Sequence, residues 1–249
     1  MVKLSMMKVI TMKMIVSDYD DTFYINDSDI INNVKLTNEF VKNNIFVIAT
    51  GRSHLDFKKK QDLYNISCTY LIINHGATIL KDDEVIYNKT IDNEIKDNII
   101  KELELDKTIS IFGCQQKDSR VNLQAKNLNK IHVRYKNVDD AIRINDIISS
   151  KYSNYVKSFL VCNKESIEII SVDVDKSNAI KYIANLESIK NNNIYTIGDS
   201  YNDIEMIKDF NGYAIANSVD ELKKVAIKEY KSVSELISEV IGGSNEEFK

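Results

Sequence analysis

Apolar residues along this chain gather in short runs, and each run ends on a polar cluster. Met14-Ile15-Val16 leads into Asp18, residues 45–49 into Thr50-Gly51-Arg52, and residues 194–197 into Gly198-Asp199. Residues 70–73 before Asn74-His75-Gly76, and 212–215 before Asn217, repeat the arrangement. Near-continuous apolar strands of this kind belong to a parallel sheet buried on both faces. Helical periodicity fills the intervals, as at residues 34–43 and 177–189, which predicts βαβ units. Ligands of open α/β sheets collect at the carboxyl edge of the strands, where all of these polar clusters fall.

The middle of the chain carries a different pattern. Strands are expected at 84–87 and 108–112, helices at 92–105 and 139–149, and a closing hairpin at 158–162 with 167–171. Strands bunched with two helices predict a separate α+β layer. The chain is therefore expected to leave a first domain near Lys81 and return near Lys176. Residues 1–81 and 176–249 would form one α/β core, and 82–175 an inserted α+β domain. The tail, 242–249, is expected to fray.

Composition narrows the setting. A net charge of -4 gives no basic field to attract nucleic acid or anionic lipid. Lys3, Lys8 and Lys13 interrupt the first stretch, so it lacks the continuous apolar segment of a secretory signal. Cys68, Cys114 and Cys162 are widely spaced, against both metal clips and a disulfide framework. A reduced, cytoplasmic protein is expected, with no membrane span; oligomeric state is not legible. With 7 Gly and no Pro, turns must be built from Asn, Asp and Ser.

The densest chemistry is Asp18-Tyr19-Asp20-Asp21-Thr22. A strand alternates its side chains, so Asp18 and Asp20 can point the same way. Like charges about 4 Å apart repel by roughly 4 kcal/mol at an effective dielectric of about 20. A divalent cation or a shared proton would offset this, while an acidic turn is the simpler account. His54, His75 and His132 have no partner motif for nucleophile activation and are expected on the surface or in packing. An aspartate needs no base and can attack phosphorus directly. Such a reaction calls for Mg²⁺, which favours carboxylate and phosphate oxygens, and for groups that hold the phosphate. Thr50 and Lys176 can hold phosphate oxygens, Asp199 and Asp203 can reach a metal, and Asn202 beside them is a neutral donor.

Asp18-Tyr19-Asp20-Asp21-Thr22, Thr50-Gly51-Arg52, Lys176 and Gly198-Asp199-Ser200-Tyr201-Asn202-Asp203 resemble, in order, the four motifs of the haloacid dehalogenase-like phosphatases. The layout is similar to the Cof-type group, which carries a C2-type cap between the second and third motifs. The resemblance implies a Rossmann-like parallel-sheet core with an α+β cap over 82–175. It implies a Mg²⁺-dependent phosphatase of small phosphorylated metabolites, sugar phosphates among them, working through an aspartyl-phosphate. Asp18 would be the nucleophile and a metal ligand. Asp20 would protonate the leaving group, then deprotonate water, with its carbonyl on the metal and its pKa raised by acidic neighbours. Asp199 would bind the metal, and Asp203 would do so directly or through water. Thr50, Gly51, Lys176 and Asn202 would hold the phosphate. Asp21 departs from the usual Gly, and His75 from the Asn common before Gly76. Arg52 could contact a ligand or brace the nearby carboxylates. A phosphosugar mutase that reuses the phospho-aspartate, and a catalytically silent binding module, are the alternatives.

Overall fold

The computed structural model describes residues 12–243, so the expectations for the first stretch of the chain and most of the tail concern residues outside that range. The strand β1 (Met14–Asp18) is buried at every position. Helix α1 (Asp27–Phe40) follows, started by the Asn26 side chain, which accepts from the amides of Ser28 and Asp29. Then come β2 (Ile45–Ala49), α2 (His54–Tyr64) and β3 (Tyr70–Ile73). A hairpin of β4 (Thr78–Lys81) and β5 (Glu84–Asn88) turns through Asp82 and Asp83, both at positive φ, where Asp is among the few tolerated residues.

The next elements are α3 (Asn93–Glu102), β6 (Thr108–Gln115), β7 (Asp118–Val121), β8 (Lys130–Tyr135), α4 (Val138–Lys151), β9 (Val156–Val161) and β10 (Ser166–Ser171). The chain then returns through α5 (Lys176–Leu186), β11 (Ile194–Gly198), α6 (Ile204–Asp209), β12 (Asn211–Ile215), α7 (Asp220–Lys223), β13 (Glu229–Tyr230) and α8 (Val233–Gly243).

Two sheets form among the described residues, and the molecule is of the mixed α/β class. The larger runs β13-β12-β11-β1-β2-β3-β4-β5, parallel from β13 to β3 and antiparallel at β4 and β5. Strand order reverses at β1, which places the ends of β1, β2 and β11 at a topological switch point. Period-two alternation sends Ile15 to one side of this sheet, packed with α1 and α8. It sends Met14 and Val16 to the other, packed with α5 and α6.

The smaller sheet runs β7-β6-β8-β10-β9 and is antiparallel throughout. One face, with Ile131, Val133, Ile167 and Ile169, packs on α3 and α4. The alternate residues Lys130, His132, Glu168 and Ile170 therefore face the other way, toward the large sheet.

One expected element changes sheet. The strand expected at 84–87 was assigned to the insert, yet β5 pairs with β4 and ends the eight-stranded sheet. Its acidic turn closes a hairpin on β4, so backbone pairing overrides its place in the chain. Strands β7 and β8 were not expected at all.

Candidate active site

Asp18 ends β1, between the ends of β2 and β11. Beyond it the chain closes on itself: the Phe23 amide donates to Asp18 O (3.2 Å) and that of Tyr24 to Tyr19 O (2.8 Å). Tyr19 and Phe23 are buried beneath. The segment is thus a turn as well as a carboxylate cluster. Asp21 sits at its tip with φ 58°, a left-handed conformation Asp tolerates better than most residues.

Lys176, the first residue of α5, is buried with its ammonium between two carboxylates. It donates to Asp18 Oδ1 at 2.5 Å and to Asp203 Oδ1 at 2.6 Å. Asp203 lies in the turn before α6, where its other oxygen accepts from the amides of Asp199 (3.1 Å) and Ser200 (3.2 Å). Both oxygens of this fully buried carboxylate are therefore occupied. Gly198 makes that possible, because a Cβ there would lie 2.6 Å from the Asp203 carboxyl carbon. Asp199 follows β11 and accepts from Thr22 Oγ1 at 2.9 Å.

The carboxylates of Asp18, Asp199 and Asp203 supply oxygen atoms within 4.8 Å of one another. Three carboxylates against one ammonium leave two formal negative charges in a largely buried space. Burial, and then repulsion from Asp203, pushes the Asp199 carboxyl up to about 6, opposed by the Thr22 hydrogen bond. Burial likewise raises Asp18 well above the usual carboxylate range, with Lys176 pulling against it. Lys176 is held above its ordinary value because the two aspartates outweigh the cost of burying its charge. An all-oxygen donor set with this excess charge fits a hard divalent cation such as Mg²⁺.

The remaining predicted residues are placed less uniformly. Asp20 does not join the acidic cluster: Arg52 Nε and Nη2 grip its two oxygens at 2.8 and 2.7 Å, and its side chain is 46% exposed. Thr50, buried after β2, accepts from the Arg52 amide through Oγ1 (3.1 Å). Asn202 is exposed, with Oδ1 accepting from Ser200 Oγ (2.6 Å).

A second charged cluster stands over Gly51. Glu168 on β10 accepts from Lys130 Nζ (2.7 Å), from His132 Nδ1 (3.1 Å) and from His75 Nε2. Lys130 also donates to Gly51 O at 2.7 Å, tying the small sheet to the loop after β2. A Cβ on Gly51 would meet the His75 ring at 2.3 Å, so only glycine allows this stacking. Burial lowers the His75 pKa, keeping the ring neutral at pH 7. Burial opposes the charge on Glu168 too, but Lys130 leads a set of partners that holds it well below its ordinary value. Lys130 and Glu168 were missed in the sequence, although Lys-Ile-His-Val-Arg-Tyr alternates cleanly enough to mark β8. His75 is indeed a packed residue, while His132 meets the same carboxylate from β8. On the same strand Tyr135 is buried and donates to Leu103 O (2.9 Å), and Arg134 pairs with Glu165 at the surface.

A doubly wound sheet with a largely buried group of three aspartates and a lysine at its switch point places the molecule among α/β proteins that hold their ligands at the strand ends. The chain belongs to the haloacid dehalogenase-like hydrolases, whose family model matches residues 15–165 and, overlapping, 111–236. A candidate phosphatase from Buchnera aphidicola is 29% identical over 189 residues, 65% of this chain and 69% of that protein. A Mycoplasma capricolum protein of uncharacterised function is 26% identical over 230 residues, 78% of this chain and 86% of the other. The fold is shared with a candidate HAD/COF-like hydrolase from Plasmodium vivax at a TM-score of 0.79 and 18% identity, covering 94% of this chain and 97% of that one. No helix among the described residues is long and apolar enough to cross a membrane.

Proposed function

We propose that the protein is a Mg²⁺-dependent phosphatase of small phosphate esters, acting through a phosphorylated Asp18. The observation that carries this reading is the convergence of Asp18, Asp199 and Asp203 within 4.8 Å around a buried Lys176. Lys176 orients Asp18 and opposes the rise that burial imposes on its carboxyl group. The Asp18 carboxylate oxygen bonds to phosphorus as the bond to the leaving oxygen breaks, and Asp20 delivers a proton to that oxygen. Asp20 then takes a proton from water, whose oxygen bonds to phosphorus; the Asp18–phosphorus bond breaks and inorganic phosphate leaves. Asp20 can do this once it has rotated away from Arg52 at its half-exposed position and taken a proton from solvent, which the second step returns to it for the next cycle. Thr50, Gly51 and Asn202 hold the phosphoryl oxygens.

Mg²⁺ would be held by Asp18, Asp199 and the Asp20 carbonyl, where it offsets charge on nucleophile and phosphate. Asp203, with both oxygens occupied, supports that set through Lys176 and the Asp199 amide. The smaller α+β layer serves as a cap that closes over the phosphate and excludes water. Three free cysteines suit a reducing, cytoplasmic setting.

Initial rates on p-nitrophenyl phosphate test the proposal. EDTA should abolish turnover and Mg²⁺ restore it, while Asp18→Asn should lose at least about 10³-fold in rate and remain folded. Metal-independent turnover, or wild-type rates from Asp18→Asn, would overturn it.

A further inference from the structure

Beside the acidic centre lies a cleft of about 590 Å³ between the two layers. On the large-sheet side it is bounded by polar residues, Asp175, Ser200, Tyr201, Asn202 and Glu205, of which Ser200, Asn202 and Asp175 adjoin Asp199, Asp203 and Lys176 in sequence. On the other side stand Phe159, Leu160, Val161 and Ile170 from β9 and β10, with Val174 closing the end. His75 joins the two halves. Its ring lies on Gly51 of the proposed phosphate loop and meets Phe159 edge-on, ring centroids 4.8 Å apart at 84°. The space therefore adjoins the proposed phosphate position through Asn202 and through His75 on Gly51, on the side where a leaving group would extend.

The β9–β10 wall of this cleft, where a leaving group would lie, has little to offer a polyol. Its one cation, Lys157, already donates to Val174 O at 2.8 Å and lies 3.5 Å from an Asp175 oxygen. A sugar lying against that wall would turn hydroxyls toward aliphatic and aromatic carbon, each of those losing its hydrogen bonds to water without replacement. A second phosphate would find no free cation among these lining residues. A flat apolar ring would fill the same space and cover Phe159 and Ile170.

We infer that the leaving group is an aromatic or otherwise planar, largely apolar alcohol, seated against Phe159 and Ile170, and not a sugar. The inference rests on the phosphatase reading of Asp18 and deepens it. Benzyl phosphate and 2-naphthylmethyl phosphate, esters of unactivated alcohols, compared with glucose 6-phosphate in released-phosphate assays, test it on the unmodified enzyme. Roughly 100-fold or more in kcat/KM is expected in favour of the aromatic esters, the scale a buried ring confers. Phe159→Ala should cut that ratio about tenfold, and Phe159→Leu should recover most of it. Glucose 6-phosphate turned over as well as the aromatic esters would overturn the inference while the phosphatase reading stands. Absence of phosphate release from every ester, p-nitrophenyl phosphate included, would sink both together.

Discussion

The Lys130→Met substitution tests whether charge pairing fixes the small layer over the loop after β2. The Lys130 ammonium is 2.7 Å from Glu168 and 2.7 Å from Gly51 O, and the two paired side chains are only 4% and 10% exposed. At that separation the attraction is about 6 kcal/mol at an effective dielectric of about 20, much of it cancelled by desolvation. Removing one partner is a different matter, because the Glu168 carboxylate would stay buried beside two imidazoles, that of His75 neutral. Stranding a buried charge costs about 3–5 kcal/mol, and a chain of this size loses roughly 2–4 °C per kcal/mol. Thermal denaturation should therefore show Lys130→Met melting roughly 10 °C below wild type. Lys130→Met combined with Glu168→Gln should regain most of the loss, since the amide is uncharged. The wild-type Glu168 is held below 4.5, so its contribution is present at neutral pH and fades as pH falls through the carboxylate range. The gap between wild type and variant should narrow there. A melting shift under about 2 °C, or a double variant less stable than the single one, would refute this reasoning.

Three other expectations follow from specific contacts. Gly212→Ala places a Cβ 2.0 Å from the Ile207 carbonyl oxygen, so it should cost about 1–3 kcal/mol in denaturant unfolding; an unchanged midpoint would contradict the packing described. His75 is lowered from 6.5, so the unfolded chain takes up that proton first and stability should fall as pH drops below 6.5; His75→Gln should flatten the slope below that pH. Asp21→Gly relieves the positive φ of 58° but frees the unfolded chain, so its melting shift should stay within about 1 kcal/mol and activity should persist; lost turnover would give the Asp21 carboxylate a direct role.

Much of the core was legible because its strands are apolar on both faces. β1, β2 and β11 each read as an unbroken run ending in chemistry, and the order of those endings carried the family. The insert was legible only in part. In β8 the polar residues Lys130 and His132 alternate with Ile131 and Val133, a pattern that reads equally as a solvent face. Only the folded chain shows that this face meets Glu168 and His75, whose carboxylate and imidazole are 93 positions apart in sequence. The two aspartates at the end of β1 could have shared one side of a strand or belonged to an acidic turn. The chain turns after Asp18, and Asp20 swings to Arg52, a partnership the sequence could pose but not decide. Asp203 was expected as a metal ligand, direct or through water. Its burial among Lys176 and two amides comes from the close approach Gly198 permits.

Everything proposed for the site turns on a covalent bond between Asp18 and phosphorus. Acid-quenching the enzyme during turnover of a phosphate ester and weighing its peptides reads that bond directly. A phosphoryl group should appear on the peptide holding Asp18 and vanish when the bond is left to hydrolyse. Phosphate release with no phosphoryl group on Asp18 at any time, or the group found on another residue, would contradict the account.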